Sequence, residues 1–585
     1  MPGSTTREKR LNLLDDDEAQ ASTSSSTALL GDDAGKDIEI GRSDDSTWST
    51  QTWDGRLLLW CISRLRTFRR KVRRHPASFG AVLLKYTLWI ICILLIGTPI
   101  FAPSYTRLPQ HFRDLESRCK GPLRAPGCAN LHNEKIFISV SLYDKEGHLV
   151  NGFWGESLLE LIHLLGHDNV FLSIYENDSG PEGATALESL RRQLRCKNVI
   201  VNDPHVPITD FPTVKLPDDT SRVKRLAYLS EMRNRALRPL DRFDPSIGTE
   251  QYDKILFLND VTFHPIEAAH LLFSTNVEED GRAHYLSACA VDFWTPLKFY
   301  DIYVTRDYEG YSAGLPFWPI FLNVGEGVSR AAMLAQKDAV PVQACWSGMV
   351  AMQAKHVQNM NESLPNSHFQ DISSYVIDPA RPHNVTSPVR FRYEPEVFFE
   401  ACECCLFHAD VAQVARKAGE EELGIYMNPY VRVAYTEKTL SWLPWVKRWE
   451  RLLSIPHAVI SWFMSLPTYN PHRTVQEGEM FTEEIWVGEG NTGHWQLVQR
   501  QGRNGMFCGV REMQVIKLDE RDEDKNWENI KIPAGQATRF PTEHGEVQRS
   551  GEKWDPMVSW RVREEAEKAR KKQQQQHQHQ IPSLS

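Results

Sequence analysis

Between residues 136 and 291, short apolar segments of strand length alternate with longer segments that have helical periodicity. The strand-length segments are 136–142, 170–175, 198–201, 255–258 and 285–291. The helical segments between them are 152–165, 184–195, 222–237 and 266–274. Strands that alternate with helices form a largely parallel sheet with helices on both faces. The alternation therefore predicts an α/β, Rossmann-like fold for this part of the chain.

Two of the predicted strands end in polar residues. Asn259 and Asp260 follow the buried strand 255–258, and Asp292 follows the strand 285–291. The carboxyl ends of parallel strands form the edge where open α/β sheets bind nucleotides and their metal ions. The two carboxylates together predict a metal or sugar site at this edge. Each segment taken alone is equally typical of a turn that caps the next helix.

An uncharged apolar run, Tyr86–Ala102, is extended backwards across Lys85 by residues 81–84. Its length suits one membrane-spanning helix, and the long side chain of Lys85 can reach the interface. About eighty residues precede the run, which favours a signal anchor over a cleaved signal peptide. The basic residues ahead of it are Arg64, Arg66, Arg69, Arg70, Lys71, Arg73 and Arg74. This excess of positive charge predicts a cytosolic N-terminus and a lumenal main part.

Cysteines and sequons agree with a lumenal location. The cysteines on the predicted lumenal side are 119, 128, 196, 289, 345, 402, 404, 405 and 508, an odd number that cannot pair completely. We predict a local disulfide between Cys119 and Cys128. The cluster at 402–405 with His408 has the residue types of a zinc site but lacks a second pair, so that we predict disulfides or packed thiols there. The N-glycosylation sequons begin at Asn177, Asn361 and Asn384.

The chemistry of the predicted edge suits a phosphorylated donor. A divalent cation held by Asp260 would neutralise the charge that develops on a nucleoside diphosphate leaving group. The preceding helix carries Arg233 and Asn234, which could contact phosphate or ribose; a solvated helix face is the other interpretation. The net charge of −9 offers no basic field for nucleic acid, so we expect no nucleic-acid partner.

Seven short blocks in fixed order give the chain a resemblance to a known family. The blocks are Glu231–Leu237, Ile255–Val261, Ala288–Trp294, Arg306–Gly310, Cys345–Gly348, Glu403–Leu406 and Asn428–Ala434. Over roughly residues 133–440 the chain resembles the fungal α-1,3-mannosyltransferase family that includes cryptococcal capsule-associated proteins. The resemblance implies a type II Golgi-type membrane enzyme with a GT-A-like domain. It also implies GDP-mannose as donor, Mn2+ or Mg2+ as cofactor, and a mannoside or polysaccharide acceptor.

The resemblance assigns roles to individual residues. Asn259-Asp260-Val261 resembles the GT-A metal motif, with valine where a second acid usually stands. The donor is expected to contact Arg233, Asn234, Asn259 and Asp260, and the metal to be held by Asp260 and His408. Asp292 and Glu403 are the expected catalytic carboxylates, and Trp346 is expected to contact the acceptor. An α-linked product from an α-linked donor implies retention, through a covalent intermediate or a same-side attack.

The resulting domain prediction is a disordered tail (1–55), a basic juxtamembrane segment (56–80), a transmembrane signal anchor (81–102), a lumenal stem (103–132), the GT-A-like domain (133–440), a C-terminal extension (441–540) and a low-complexity tail (541–585). Two alternatives stay open at this point. One is a transferase for another nucleotide sugar, since the fold does not select the sugar. The other is a non-catalytic, membrane-anchored assembly or export factor for polysaccharide.

Overall fold

The computed structural model describes residues 76–121, 125–241, 251–359, 385–464, 466, 470–517 and 526–531, together with short strands at 540–541 and 547–548. The predicted sequons at Asn361 and Asn384 lie outside the described residues. The chain divides into two compact units, Met1–Pro103 and Ser104–Ser585.

In the first unit, the described residues form one helix, α1 (Pro76–Phe101). The stretch Val82–Phe101 is long and apolar enough to cross a membrane, and within the described part of the chain no other helix is. At 1.5 Å per residue its 20 residues span about 30 Å, the thickness of a bilayer's hydrocarbon core. Its large apolar side chains are exposed, which is compatible with the predicted single-pass anchor.

The helices of the second unit are α2 (Gln110–Arg118), α3 (Phe153–Leu165), α4 (Gly180–Gln193), α5 (Arg225–Ala236), α6 (Pro265–Phe273), α7 (Val328–Leu334), α8 (Glu403–Lys417), α9 (Glu437–Val446) and α10 (Ser454–Phe463). Its strands are β1 (Ile136–Leu142), β2 (Val170–Asn177), β3 (Lys197–Asp203), β4 (Thr213–Lys215), β5 (Ser221–Val223), β6 (Lys254–Leu258), β7 (Ser287–Thr295), β8 (Lys298–Phe299), β9 (Arg306–Asp307), β10 (Val340–Ala344), β11 (Met349–Gln353), β12 (Glu400–Ala401), β13 (Ile425–Ala434), β14 (Met480–Val487), β15 (His494–Gln501), β16 (Gly509–Val510), β17 (Gln514–Ile516), β18 (Trp527–Asn529), β19 (Phe540–Pro541) and β20 (Val547–Gln548).

One large sheet organises the second unit. Its strand order is β3-β2-β1-β6-β11-β7-β13-β10-β9, with β8 beside β7. The first four strands are mutually parallel, as are β7 and β13. Strand β11 runs antiparallel to both of its neighbours, β6 and β7. The predicted α/β fold is confirmed in this form, as a mixed sheet with a parallel half.

Helices cover both faces of the sheet because its central strands are apolar on both sides. On one face Leu256 of β6 packs in a core with Leu158 of α3 and Leu271 of α6. On the other, Phe257 contacts the ring of Phe407 of α8, with ring centroids 5.6 Å apart. The predicted strands and helices up to residue 273 are confirmed, with ends that differ by a few residues.

Two predicted features of the sheet are corrected. Asp292 does not follow its strand, because β7 continues to Thr295. Strands β6 and β7 are also not adjacent, because β11 lies between them. A strand that returns antiparallel from residue 349 cannot be recognised from the βα alternation, which predicts only parallel neighbours.

The compact unit continues beyond residue 440. Strand β16 pairs with β12, and Lys224 forms an antiparallel bridge with Val515. Strand β16 and Val515, which lie after residue 440, are therefore hydrogen-bonded to the predicted catalytic domain.

Three disulfides form in the described residues. Cys119–Cys128 is the predicted local pair and is confirmed. Cys289–Cys345 joins β7 to the segment before β11, and Cys405–Cys508 joins α8 to the C-terminal segment. Cys402 and Cys404 are buried thiols, so that the cluster contains both of the arrangements predicted as alternatives, a disulfide and packed thiols.

Candidate functional site

The candidate site lies where β6 ends, at the carboxyl edge of the parallel half of the sheet. The backbone N–H of Asn259 donates to the carbonyl of Gly348 at 2.9 Å, and the indole N–H of Trp154 donates to the carbonyl of Asn259 at 2.9 Å. These bonds fix the backbone just beyond the strand. The next residue, Asp260, is exposed at this edge of the sheet.

Asp260, the turn before β11 and Asp292 follow one another across the sheet, and we call them a row. Met349 pairs with Leu258 of β6, and Val350 pairs with Cys289 of β7, so that β11 and the turn before it lie between the strands that carry the two aspartates. Burial, together with the nearby Asp292 and Asp260 carboxylates, raises the pKa of Tyr435 well above its ordinary value. Both aspartates therefore act on the same hydroxyl group at this edge.

A tight turn at Ser347 and Gly348 forms the middle of this row. Both residues have left-handed backbone angles, with φ of 51° and 70°. A Cβ on Gly348 would stand 2.4 Å from the Cγ1 of Val261, so that only glycine fits there. Val261 is fully buried against this turn. A second metal-binding acid therefore has no place at position 261, which explains the departure from the usual motif.

Asp301 ties the turn to Asp292. Its carboxylate accepts the backbone N–H groups of Trp346 at 3.0 Å and Ser347 at 2.7 Å. The backbone N–H of Asp301 donates to Asp292 at 3.2 Å, and the Tyr435 hydroxyl donates to the other oxygen of Asp292 at 3.1 Å. Burial, with the Asp301 carboxylate nearby, raises the pKa of Asp292 well above its ordinary value. Asp292 is thus a buried carboxyl group inside the site's framework.

Ser347 adds one unexplained polar atom to this framework. Its hydroxyl oxygen is fully buried and has no hydrogen-bond partner among the described residues. Buried hydroxyl groups are rarely left unpaired in native proteins, and such a group in a turn marks a position where a ligand or water belongs.

On the other side of the row, Arg233 of α5 reaches the end of β6. Its Nε donates to Glu403 at 3.0 Å, and its Nη1 donates to the side-chain oxygen of Asn259 at 3.2 Å. The Arg233 side chain is 17 % exposed, whereas that of Glu403 is only 3 % exposed. Glu403 is the first residue of α8, where the helix dipole favours a negative charge. The arrangement places a guanidinium group, ion-paired with a buried carboxylate, against the side chain of Asn259 at the end of β6.

Trp346 does not have the surface that its predicted acceptor-binding role requires. The residue is 3 % exposed, and its ring packs between Phe257 and Phe391 at centroid distances of 5.1 and 5.6 Å. Its indole N–H points to the Asn259 side chain at 3.4 Å, and Arg233 lies 5.0 Å over its ring. The structure corrects this prediction: Trp346 positions Asn259 and Arg233.

Asn234 and His408 are also corrected. The Asn234 amide exchanges two 2.8 Å hydrogen bonds with the backbone of Phe391 and is buried, which leaves no group to contact a donor. Both nitrogens of His408 are engaged, Nδ1 with the carbonyl of Cys404 at 3.0 Å and Nε2 with the hydroxyl of Ser287 at 2.9 Å. Burial lowers the pKa of His408 to about 4. It is a neutral core histidine rather than a metal ligand.

The Cys402-Glu403-Cys404 cluster has three possible ligand atoms within 4.8 Å of one another. Glu403 is already ion-paired with Arg233, so that a cation held there would lie beside a guanidinium charge. This electrostatic cost disfavours a metal ion at the cluster. The predicted glycosylation site Asn177 is similarly disfavoured, because its amide is buried and donates to the Tyr228 hydroxyl at 2.6 Å.

Sequence reasoning missed Asp301 and Tyr435, which complete the site around Asp292. Half-buried aromatic rings stand next to them: the ring centroids of Trp294 and Tyr300 lie 5.8 Å apart, and those of Tyr300 and Tyr435 lie 4.6 Å apart. The richness in aromatic residues after position 292 was the available signal. Nothing in the sequence distinguished the rings at the site from those in the core.

The fold and the site define an α/β protein with an exposed aspartate, Asp260, at the carboxyl edge of its sheet. The guanidinium group of Arg233, fixed by Glu403 and Asn259, lies at the end of the same strand. Residues 135–410 match the model of the family described as Cryptococcal mannosyltransferase 1, so that this segment is similar to that mannosyltransferase family. The predicted family resemblance is thereby confirmed. No curated protein sequence matches the chain significantly.

Solved structures with some similarity include the mannosyltransferase PcManGT from Pyrobaculum calidifontis in complex with GDP-Man and Mn2+. It is 9 % identical over 65 % of this chain and 86 % of that one, with a TM-score of 0.28. The glucosyl-3-phosphoglycerate synthase of M. tuberculosis is 13 % identical over 68 % of this chain and 96 % of that one, with a TM-score of 0.23. At such TM-scores these similarities carry no argument about the present chain.

Proposed function

We propose that the protein is a single-pass type II membrane enzyme of the Golgi that transfers mannose from GDP-mannose to a mannoside or polysaccharide acceptor. The linkage formed is α-1,3, with retention of configuration, on a GT-A-like domain. The match of residues 135–410 to the mannosyltransferase family model supports mannosyl transfer. The donor, the linkage and the Golgi location follow from the family resemblance, and the apolar helix α1 supports the anchor.

The observation that carries the proposal is that Arg233 reaches the end of β6, where an exposed aspartate follows. Its guanidinium group donates to the side chain of Asn259, and the next residue along the chain is Asp260. A nucleoside diphosphate needs both a cation site and a guanidinium donor, because two phosphates carry the charge of the leaving group. Open α/β sheets bind such ligands at the carboxyl ends of their strands, which is where these residues lie.

The residues present fit a divalent cation such as Mn2+ or Mg2+ that is shared with the donor phosphates. Asp260 supplies a hard oxygen ligand, and such ions are commonly held by one or two carboxylates plus substrate phosphates and water. Val261 and His408 are excluded by their burial and contacts. The bound ion would neutralise the charge on the departing diphosphate.

The chain's own residues then have distinct roles. Arg233 binds the diphosphate, and Glu403 and Asn259 orient its guanidinium group. Asp292 and Asp301 hold the Ser347 turn beneath the sugar. Trp294, Tyr300 and Tyr435 offer half-buried rings for the apolar face of a sugar, so that Trp294 takes the acceptor role for which Trp346 is too deeply packed.

Substitution of Asp260 tests the proposal. Purified full-length protein in detergent is given GDP-mannose, a mannoside acceptor and Mn2+, and GDP release and product are measured. We expect Asp260→Asn to reduce turnover by about 10²–10³-fold with an unchanged unfolding midpoint. The matched control is Asp280→Asn, an exposed aspartate that precedes β7 at the opposite sheet edge.

The outcomes separate the parts of the proposal. Wild-type turnover in Asp260→Asn would contradict the assigned site, and full activity in excess chelator would contradict the metal. Activity with another nucleotide sugar but not with GDP-mannose would correct the donor alone. If the wild-type chain turns over no donor, a non-catalytic role in polysaccharide assembly replaces transfer.

A further inference from the structure

Helices α9 and α10 present an apolar surface outward from the second unit. On α10 the exposed side chains are Ile455, Val459, Trp462 and Phe463, which follow the i, i+4, i+7, i+8 spacing of one helix face. Trp462 and Phe463 are 75 % and 73 % exposed. On α9, Trp442 and Trp445 are also exposed. We call these six residues the outer apolar face.

An ordinary surface helix turns its apolar side chains toward the core, whereas α10 turns them toward solvent. The side of α10 that packs inward carries His457, which is 1 % exposed and whose Nε2–H donates to the carbonyl of Ile320 at 3.4 Å. The helix contains no charged residue over Ser454–Phe463, so that its solvent-facing side is the apolar one. An exposed apolar helix face of this kind marks a binding surface for a partner or a membrane.

The composition of the outer apolar face favours a lipid surface. Three of its six residues are tryptophan, the residue that concentrates at membrane–water interfaces because its ring is amphipathic. Basic side chains accompany it: Lys438 and Arg448 are exposed, and Arg448 lies 5.4 Å over the ring of Trp445. Apolar and aromatic residues with adjoining lysine or arginine are typical of helices that lie in the interface plane.

Chain connectivity supplies an independent argument. The apolar stretch of α1 ends at Phe101, and only Ala102 and Pro103 separate it from Ser104. Within the second unit, the backbone N–H of Ser104 donates to the carbonyl of Lys447, the residue that follows α9. Three residues of extended chain reach at most about 10 Å. Whatever angle α1 takes, the surface of a membrane that it crosses therefore lies within a short distance of Ser104. Since Ser104 is bonded to Lys447, the C-terminal end of α9 is also close to that surface.

We propose that the outer apolar face of α9 and α10 docks on the lipid bilayer that α1 crosses, with its side chains at the level of the headgroups. The folded unit then has two attachments to the membrane, one through the chain and one through this face. The inference rests on the predicted anchor and is independent of the enzymatic activity proposed above.

Fluorescence of the three tryptophans in the face tests this. The full-length protein is reconstituted into phosphatidylcholine vesicles that contain phosphatidylserine, with ordinary or brominated acyl chains. The variant Trp442→Phe/Trp445→Phe/Trp462→Phe keeps the apolar surface and removes the reporters. Subtracting its emission from that of the wild type isolates these three rings and cancels Trp89 of α1. We expect brominated lipid to lower the difference emission by about twofold or more.

The matched control is Trp527→Phe, since Trp527 is buried in the same unit and its difference emission should not respond to bromination. A face that is not quenched overturns the proposal. If its emission is then at long wavelength, the face is open to water; if it is at short wavelength, another part of this chain, a second copy or a protein partner covers it.

A second measurement needs no variant and covers the case in which the triple substitution misfolds. A lipid with a photoactivatable acyl chain is cross-linked to the wild-type protein in the same vesicles, and the labelled peptides are mapped. We expect labels on α1 and on residues 437–464. Labels on α1 alone would contradict docking.

Discussion

At the scale of single residues, the candidate site depends on the pair formed by Arg233 and Glu403. Glu403 is buried and touches Arg233, while Arg233 keeps part of its side chain exposed toward the sheet edge. This geometry makes Glu403 a positioning residue for the guanidinium group, not a group that meets the sugar. A carboxylate enclosed in this way stabilises the site only as long as its partner is present.

We expect Arg233→Met to lower the free energy of unfolding by about 3 kcal/mol, because it leaves the buried Glu403 carboxylate without its partner. Glu403→Leu should cost less, because the Arg233 guanidinium is partly exposed to water. The double variant should lose clearly less than the sum of the two, since it leaves no unpaired charge. Donor binding, measured by calorimetry with GDP-mannose, should stay lost in the double variant. Strictly additive losses in stability, or restored donor binding in the double variant, would contradict the pairing.

His408 gives a pH dependence with a defined sign. Burial lowers the pKa of folded His408 to about 4, while an unfolded histidine has a pKa of about 6.5. Between these values only the unfolded state binds the proton, so the stability present above pH 6.5 is lost as pH falls toward 4. The difference corresponds to about 3 kcal/mol at most. Chemical denaturation between pH 4 and 7 should show a shallower slope for His408→Gln than for the wild type.

The same variant tests the correction of the metal role. If His408 is a core histidine, the Mn2+ concentration needed for half-maximal activity should be unchanged in His408→Gln. An increase of about tenfold or more would restore it as a ligand.

Sequence patterns identified the right residue types but not their surroundings. Arg233 is hydrogen-bonded to both Asn259 and Glu403, which belong to separate motif blocks, because the elements that carry these blocks pack against each other. The roles predicted for these residues and for Asp260 stay predictions. Trp346 could not be assigned correctly, because an aromatic ring in a motif serves equally as core or as ligand contact. Burial depends on side chains from distant segments, such as Phe391, and no local pattern contains that information.

At the scale of elements, the start of helix α8 is fixed by one ion pair and one disulfide. Its first residue bonds Arg233, and Cys405 in its first turn is bonded to Cys508 across a sequence separation of 103. The strand and helix order before residue 291 was readable because local periodicity determines it. Neither β11 nor this long disulfide was predictable, because both depend on contacts that are remote in sequence.

The disulfides Cys405–Cys508 and Cys119–Cys128 close loops of very different length, so that they should contribute differently to stability. In the loop-entropy account, a bond across about 100 residues contributes about 4.7 kcal/mol, while one across about ten residues contributes about 2.7 kcal/mol. We therefore expect Cys405→Ser/Cys508→Ser to lower the free energy of unfolding more than Cys119→Ser/Cys128→Ser does. Equal losses in guanidinium titrations of the two variants would show that local packing, not loop closure, determines the effect.

At the scale of the whole molecule, residues beyond 440 complete the charge balance of the second unit. Buried Arg432 is paired with Glu450, with one contact at 2.9 Å, and buried Arg306 donates to the carbonyl of Phe507 at 3.2 Å. Arg500 and Arg503 hold the pKa of Glu396 at about 2 against the effect of its burial. The predicted domain ends at residue 440 because the family motifs end near there. Ion pairs nevertheless join residues before and after this position, such as Arg432 with Glu450.

Truncation gives the corresponding prediction. A chain that ends at residue 440 loses Glu450, Arg500, Arg503 and Cys508. It leaves buried Arg432 and half-buried Glu396 without their partners. An unpaired buried charge costs about 3–5 kcal/mol and a half-buried one less, while the lost disulfide removes about 4.7 kcal/mol more. Together these losses reach the stability of a typical domain, about 5–15 kcal/mol. We expect this chain to lack a cooperative unfolding transition and to be digested rapidly by protease, whereas a chain that ends at residue 548 keeps the wild-type midpoint because every described ion pair is retained. A cooperative transition in the chain that ends at 440 would show instead that the catalytic fold is complete without the extension.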